Sequence, residues 1–576
     1  MINIALVGTG PTGVYAFKAL ATVRSAEAVT IWLFEKGADA GVGMPYSDDT
    51  ASAVMLANIA SIEIPPVTRS YLDWLRAQTH ALLRSHGIDP HDIADRDFTP
   101  RLMLGRYYHD EFNELVHQAE ALGHKVELRE RTEVTDIRPR ADGRLQIVTD
   151  RGEVEDPFDK VILATGHVFP DDDETRRYFP SPWSGLLDAH IPACRVGILG
   201  TSLSAIDATM AIATQHGRFV QGRGEALRFE PSDPGANPAL SITMMSRAGL
   251  LPEADFYCPI PYEPLKVMTP AALAGLEGSD HLLDAAFDLF RAELELADPA
   301  YAAALDLGNA TVDDFAARYF RARKQSEPFD WARRNLAEEA THDARRTVPW
   351  RYAILRMHEP VEGLVEQMSD ADRARFEASL KPVFVDNYAA VPPESIRRLL
   401  ALHDAGLLSI RAIGSDWTMQ QSDEGTTLDT AAGPLTFEVF VDARGQKPLE
   451  ADDLPFPTLR ASLLTAGVDV LDVDEDYRLL GAPAYDARVY MGAIPYLMHD
   501  RPFVQGITAA CDIGTRIGGA VLREALETSR RRRGRVWWED FRPRLPRSLA
   551  RLADPVPDVR RGELGRLAVE AVNGER

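Results

Sequence analysis

The sequence predicts an α/β protein of two Rossmann-like dinucleotide-binding domains with a helical insertion. Three observations lead there. At the N-terminus the apolar run Ile2 to Val7 meets Gly8-Thr9-Gly10-Pro11-Thr12-Gly13, then helical spacing from Val14 to Val23, then a second apolar run, Val29 to Phe34, that ends in Glu35. The layout recurs from Arg195: an apolar strand, the turn Gly200-Thr201-Ser202-Leu203-Ser204, a helix from Ala205 to Thr214, and the strand Ser241 to Met245. From Thr269 to about Ala412 alanine, leucine and charged residues return at helical spacing instead.

The first motif has the arrangement that dinucleotide chemistry requires. Gly8 permits the tight turn, Gly10 lets backbone approach a pyrophosphate, and Gly13 lets helix and strand pack closely. Pro11 and Thr12 open the helix whose N-terminus faces the phosphates, and Glu35, followed by Lys36, can accept from ribose hydroxyls. An acid at that strand end suits an unphosphorylated ribose, hence FAD or NAD. Gly41 to Tyr46, with Gly43, Met44 and Pro45, forms a loop where the rest of a flavin would pass. The extended stretch Val54 to Pro66 covers that site, and Asn58, beside Ala60, either bonds a flavin edge or caps a turn. Arg101 and Arg106, on a helix running to about Leu122, face a phosphate or carboxylate, or simply solvent. Lys125 to Thr149 alternates like antiparallel strands. The strand Val161 to Leu163 then ends in Ala164-Thr165-Gly166-His167, where small residues let the chain pass a bound dinucleotide.

In the second motif Ser202 and Ser204 replace glycines but leave backbone N–H groups for a phosphate. Its second strand ends in Ser246-Arg247 rather than an acid, and an arginine there pairs with a 2′-phosphate, which predicts NADPH. Leu435 to Gly445 ends like a second Ala-Thr-Gly strand with arginine in place of threonine. Near the C-terminus Asp512, Gly514 and Thr515 lead into a helix that closes the first domain beside the flavin. The expected domains are therefore 1–190 with 413–530 for FAD, 191–268 for NADPH, 269–412 as a helical insertion and candidate substrate domain, and 531–576 as a basic tail.

Composition narrows the function. The 576 residues are 45% hydrophobic and 26% charged, as in an ordinary globular protein, and the net charge of −24 argues against nucleic acid or an anionic membrane as partner. Cys194, Cys258 and Cys511 lie far apart, which disfavours a disulfide framework, a zinc site and a dithiol relay. The N-terminal apolar run is the first strand rather than a signal peptide, and no run is long enough to span a bilayer, so a cytoplasmic protein is expected. Homo-oligomerisation stays open.

With both motifs in view the chain resembles bacterial FAD/NAD(P)-binding proteins related to flavin-dependent N-hydroxylating monooxygenases. The resemblance is carried by Gly8 to Gly13, Gly41 to Tyr46, Leu56 to Ala60, Arg101 to Tyr107, Ala164 to His167 and Gly200 to Asp207. Similar proteins include amino-acid N-monooxygenases that convert aspartate to nitrosuccinate. The resemblance implies that NADPH reduces FAD, that O₂ adds to give a C4a-hydroperoxyflavin, and that the distal oxygen passes to an unprotonated amine of a small amino acid. It calls for an arginine such as Arg101 or Arg351 on a substrate carboxylate, with Tyr388 as a further lining residue. His167 is a candidate for proton transfer or a structural histidine, and no residue is assigned as catalytic. A flavin reductase or amine-oxidising flavoenzyme, and a non-catalytic flavin-binding scaffold, are the competing readings.

Overall fold

The computed structural model describes the chain except residues 1, 23–28, 171–176, 222–225, 234, 236–238, 277, 340–344, 446, 500, 502 and 542–576. Two five-stranded parallel sheets organise it. The strands Ile2–Val7 and Val29–Phe34 pair in parallel along their whole length, with Ile4 opposite Ile31 and Leu6 opposite Leu33. Almost every side chain in them is buried, as expected where both faces of a parallel sheet are covered. Lys125–Arg129 extends this sheet on one side, and Lys160–Leu163 followed by Val489–Met491 extends it on the other.

The second sheet repeats that order. Arg195–Leu199 is central, with Ser241–Ser246 and Leu408–Ala412 on one side and Val439–Asp442 and Tyr178–Phe179 on the other. Each unit also places a three-stranded antiparallel sheet just before the strand that flanks its central strand on the other side, Lys160–Leu163 in the first and Val439–Asp442 in the second. In the first unit this is Val134–Pro139, Leu145–Thr149 and Gly152–Glu153, and in the second Trp417–Ser422, Gly425–Thr430 and Gly433–Phe437.

These pairings correct two expectations. Lys125–Arg129 is a parallel strand of the first sheet, not part of an antiparallel meander. The second unit is not confined to 191–268, because Tyr178–Phe179, Leu408–Ala412 and Val439–Asp442 hydrogen-bond into its sheet. The boundaries at 190, 412 and 413 therefore cut through one sheet; partners so distant along the chain are chosen by pairing, which local pattern does not encode.

The helical region leaves the second sheet after Ser246 and returns at Leu408. Its helices include Leu282–Ala297, Val312–Lys324, Pro349–Val365, Asp370–Ala378 and Leu380–Tyr388. They bury a core of their own around Phe287, Phe290, Phe315, Met357, Phe376 and Phe384, joined by Phe503. Pro393–Asp404, by contrast, buries Ile396 and Leu399 in the core of the second sheet. Compact packing divides the chain into Met1–Ala520 and Val521–Arg576. The basic tail begins inside the helix Gly506–Phe541, and its residues 542–576 lie outside the described residues. Among the described residues no helix is long and apolar enough to cross a membrane.

Candidate active site

The first nucleotide turn is built on steric necessity. Gly8 has φ +92°, and a Cβ there would lie 2.5 Å from the Ala164 carbonyl oxygen, so only glycine fits between the turn and the Ala164-Thr165-Gly166 strand end. Its N–H donates to Phe34 O at 2.9 Å, and Ala164 N–H donates to Val7 O at 2.8 Å. A Cβ on Gly13 would run into the Gly8 carbonyl, and one on Gly43 would meet Gly10 Cα at 2.9 Å. Gly8, Gly10, Pro11, Gly13, Gly43 and Thr165 are thus brought together. The helix Pro11–Ala21 has Gly10 at its N-cap with no side chain bonded to its free N–H groups, which suits a phosphate.

Glu35 closes the turn from the neighbouring strand. One carboxylate oxygen accepts from Thr9 N–H at 3.1 Å and Thr9 Oγ1–H at 2.6 Å, and the other accepts from Gly37 N–H at 2.7 Å. These bonds fix the acid at the strand end and leave lone pairs for ribose hydroxyls. Lys36 makes a surface ion pair with Glu133 at 2.9 Å. Met44 and Pro45 lie in the 3₁₀ turn Met44–Tyr46, which rests on Gly105, and Arg106 beside it is exposed. Ala60 is fully buried. Asn58 Oδ1 and His167 Nδ1 are among the buried atoms with no hydrogen-bond partner among the described residues. Burial lowers the His167 pKa to about 4, so its ring is neutral at pH 7. The glycine cradle, the uncapped helix and these orphaned polar atoms fit a flavin dinucleotide.

The second turn repeats the backbone hydrogen bonds of the first. Gly200 has φ +140°, and a Cβ there would lie 2.7 Å from Ala443 O. Its N–H donates to Met245 O at 2.7 Å, and Ala443 N–H donates to Leu199 O at 2.9 Å. In this correspondence Ser202 stands at Gly10, Ser204 at Thr12 and Ala205 at Gly13, so Ser204 does not replace a glycine. Ser202 caps the helix Leu203–Ala213, again with no side-chain bond to the helix N–H groups. Thr201 Oγ1 lies 3.2 Å from Ser246 Oγ, repeating the Thr9–Glu35 contact with serine in place of the acid. Ser246 Oγ also accepts from Gly249 N–H at 3.0 Å, and Arg247 is exposed. Removing the carboxylate removes the charge that would repel a 2′-phosphate.

The expected substrate contacts fare differently. Arg101 Nη2 lies 2.8 Å from Asp207 Oδ2, both largely buried, and Arg101 Nε donates to Leu56 O at 3.1 Å. Burial pushes the Asp207 pKa up to about 6, opposed by the Arg101 guanidinium. Arg351 is 1% exposed; its Nη1 donates to Ala254 O at 2.9 Å and Glu338 Oε2 at 3.0 Å, and its guanidinium stacks 4.3 Å from the Phe256 ring. Both arginines are paired with internal acids, and Arg351 Nε and Nη2 keep no hydrogen-bond partner among the described residues. Sequence could not show this, because Asp207 and Glu338 are ordinary residues until folding brings them close. The Tyr388 ring packs with His358 and Phe503, and burial pushes its hydroxyl up to about 12.

Gly514 has a packing reason of its own. A Cβ there would lie 2.8 Å from Ala16 N, and one on Gly518 would lie 2.7 Å from Ala19 Cβ, so the two glycines let their helix cross Pro11–Ala21 closely. Asp512 and Thr515 are exposed on the same helix. Burial and the Glu359 carboxylate raise the Asp512 pKa.

Comparison with known proteins fits this architecture. Residues 5–168 match the FAD-NAD(P)-binding family, and residues 269–388 match the YdhS-like middle domain. The "Uncharacterized protein YdhS" of Escherichia coli (strain K12) is 47% identical over 535 residues, covering 92% of this chain and 99% of that protein. Among solved structures, the ornithine N-hydroxylase KtzI of Kutzneria sp. 744 is 16% identical with a TM-score of 0.45, covering 91% of this chain and 99% of that one. DfoA, the cadaverine monooxygenase of Erwinia amylovora, is 14% identical with a TM-score of 0.46, covering 91% and 96%. With its FAD-NAD(P)-binding first unit and its matching middle domain, the chain belongs to the family of the Escherichia coli protein YdhS.

Proposed function

We propose that this protein is an FAD-dependent monooxygenase that uses NADPH and O₂ to hydroxylate the nitrogen of a small amine, an amino acid in the first instance. The observation that carries the reading is the duplicated turn with unlike strand ends: Glu35 for an unphosphorylated adenosine in the first unit, Ser246-Arg247 for a phosphorylated one in the second. Two dinucleotide sites on one chain suit electron transfer from a nicotinamide to a flavin. The widely separated cysteines offer no dithiol to receive the electrons, which favours O₂ as acceptor.

Bound FAD supplies the oxygen chemistry. The chain's own share is binding, orientation and a proton. The helix Pro11–Ala21 offers N–H groups to the pyrophosphate, and Glu35 holds the turn through Thr9 and Gly37 while accepting from the ribose. Neutral His167 can accept or return a proton at Nδ1. The amine must arrive unprotonated, so water exclusion by the loop around Asn58 and Ala60 favours the reactive form.

Aspartate, oxidised towards nitrosuccinate, is the substrate that the sequence resemblance suggests, and it is the first to test. The test follows NADPH oxidation by the FAD-loaded protein across amino acids and small diamines, with N-oxidised product and peroxide measured together. N-oxidised product in step with NADPH consumed is the expected result. Recovery of every electron as peroxide, whatever amine is added, overturns N-oxygenation.

A further inference from the structure

The second unit carries an arginine where the first carries a threonine. Ala443-Arg444-Gly445 ends the strand beside Gly200 as Ala164-Thr165-Gly166 ends the strand beside Gly8, and the same backbone bonds lock both pairs. Arg444 therefore follows directly on the residue whose carbonyl abuts the nucleotide turn. Its guanidinium is held from one edge: Nε lies 2.9 Å from Asp442 Oδ1 and Nη2 lies 2.7 Å from Asp442 Oδ2. The Trp417 ring centroid is 5.5 Å away. The Asp442 side chain is 14% exposed while that of Arg444 is 53% exposed, so the acid anchors and the arginine presents. Its Nη1 makes no hydrogen bond among the described residues.

Strand order says which part of a ligand passes here. Ser241–Ser246 lies on one side of the central strand and Val439–Asp442 on the other. A dinucleotide crosses the carboxyl ends of the strands at this reversal, with its adenosine over the Ser246-Arg247 side and its pyrophosphate at the helix N-terminus. The remaining half then lies over Ala443-Arg444-Gly445. We propose that Arg444 is a specificity-determining contact to the nicotinamide-nucleotide half of the second dinucleotide, its guanidinium paired with the phosphate of that half. This rests on the reading of the second unit as a nicotinamide-dinucleotide site. In the first unit Thr165 leaves the equivalent place uncharged, so the arginine distinguishes the two sites at the end opposite to Arg247.

Titration of the FAD-loaded protein with NADP⁺ and separately with 2′,5′-ADP, which lacks the nicotinamide half, tests the assignment. Arg444→Thr, which installs the first unit's residue, should weaken NADP⁺ about tenfold and leave 2′,5′-ADP and FAD content unchanged. Unchanged NADP⁺ affinity, or an equal loss for both ligands, overturns it. Should Arg444→Thr fail to fold, Arg444→Lys reads the same split with a smaller loss. A wild type that binds NAD⁺ but not NADP⁺ would remove the 2′-phosphate role of Arg247, and NAD⁺ against AMP, which lacks the second phosphate, would then test Arg444 alone.

Discussion

The two nucleotide units share the spatial order of their strands, the bonds of the turn and even an antiparallel insert, yet they differ in the side chains at their strand ends. Where the first has Glu35 bonded to Thr9, the second has Ser246 bonded to Thr201. Where the first has Thr165, the second has Arg444. The helix residues also differ: Tyr15 of the first unit and Asp207 of the second hold equivalent positions, and both reach the helix Arg101–Ala121. Tyr15 Oη lies 3.2 Å from Tyr108 Oη and donates to Pro65 O at 2.5 Å, whereas Asp207 pairs with Arg101. One helix of the first unit thus braces both nucleotide helices, by an uncharged contact in one case and by a buried ion pair in the other. Backbone geometry is kept because the turn tolerates little else; side chains that face the ligand or the neighbouring unit are free to diverge.

The largest expected effect comes from that brace. Arg101→Met leaves Asp207 buried and unpaired and should cost about 3–5 kcal/mol by chemical denaturation, and adding Asp207→Leu should recover most of the loss. A single variant as stable as the wild type would show that the pair does not hold the units. Next come the glycines. Gly8→Ala and Gly200→Ala each force a Cβ against a carbonyl at positive φ, at about 2–4 kcal/mol locally. The first should lose FAD by absorbance, and the second should keep FAD but lose nicotinamide-dinucleotide binding. Loss of both ligands in both variants would contradict separate sites.

A more selective exchange is Ser246→Glu, which places the first unit's acid in the second. The preference for NADP⁺ over NAD⁺ should fall by about tenfold or more, read as a ratio of dissociation constants, because the carboxylate would face the 2′-phosphate. The smallest effect concerns His167, which has no counterpart charge in the second unit. Its pKa of about 4 in the fold lies below the ordinary 6.5, so the unfolded chain binds the proton first as pH falls. Stability of the apoprotein should therefore drop between pH 6.5 and 4, by about 1 kcal/mol once the ring's partial exposure is allowed for, and His167→Asn should remove that slope.

Much of the first site was legible because its parts are local. Gly8 to Gly13, Glu35 and Ala164 to Gly166 each mark a strand end by residue type, and strand ends are where such ligands bind. The helix at Val312–Lys324 was equally plain from its spacing, and the structure adds a capping box at Thr311. The membership of Val439–Asp442 was not legible, since Leu435 to Gly445 resembles the strand end of either unit and only pairing with Val196 to Leu199 decides between them. Gly514 looked like a ligand-facing glycine because a residue without a side chain reads the same whether a cofactor or a helix approaches it.

Sequence by itself determined that the chain folds two glycine turns between apolar strands, that an acid follows one second strand and serine-arginine the other, and that a helical stretch comes after both. Those features depend on residues adjacent in the chain, where periodicity and backbone freedom act directly. Tertiary structure alone decided which charges are buried: Arg101 and Arg351 are neutralised by Asp207, Glu253 and Glu338, while Arg444 is held by Asp442 with its side chain half exposed. A charge buried without a partner costs several kcal/mol, so folding pairs it with the nearest acid the topology supplies, and that acid lies far away in sequence.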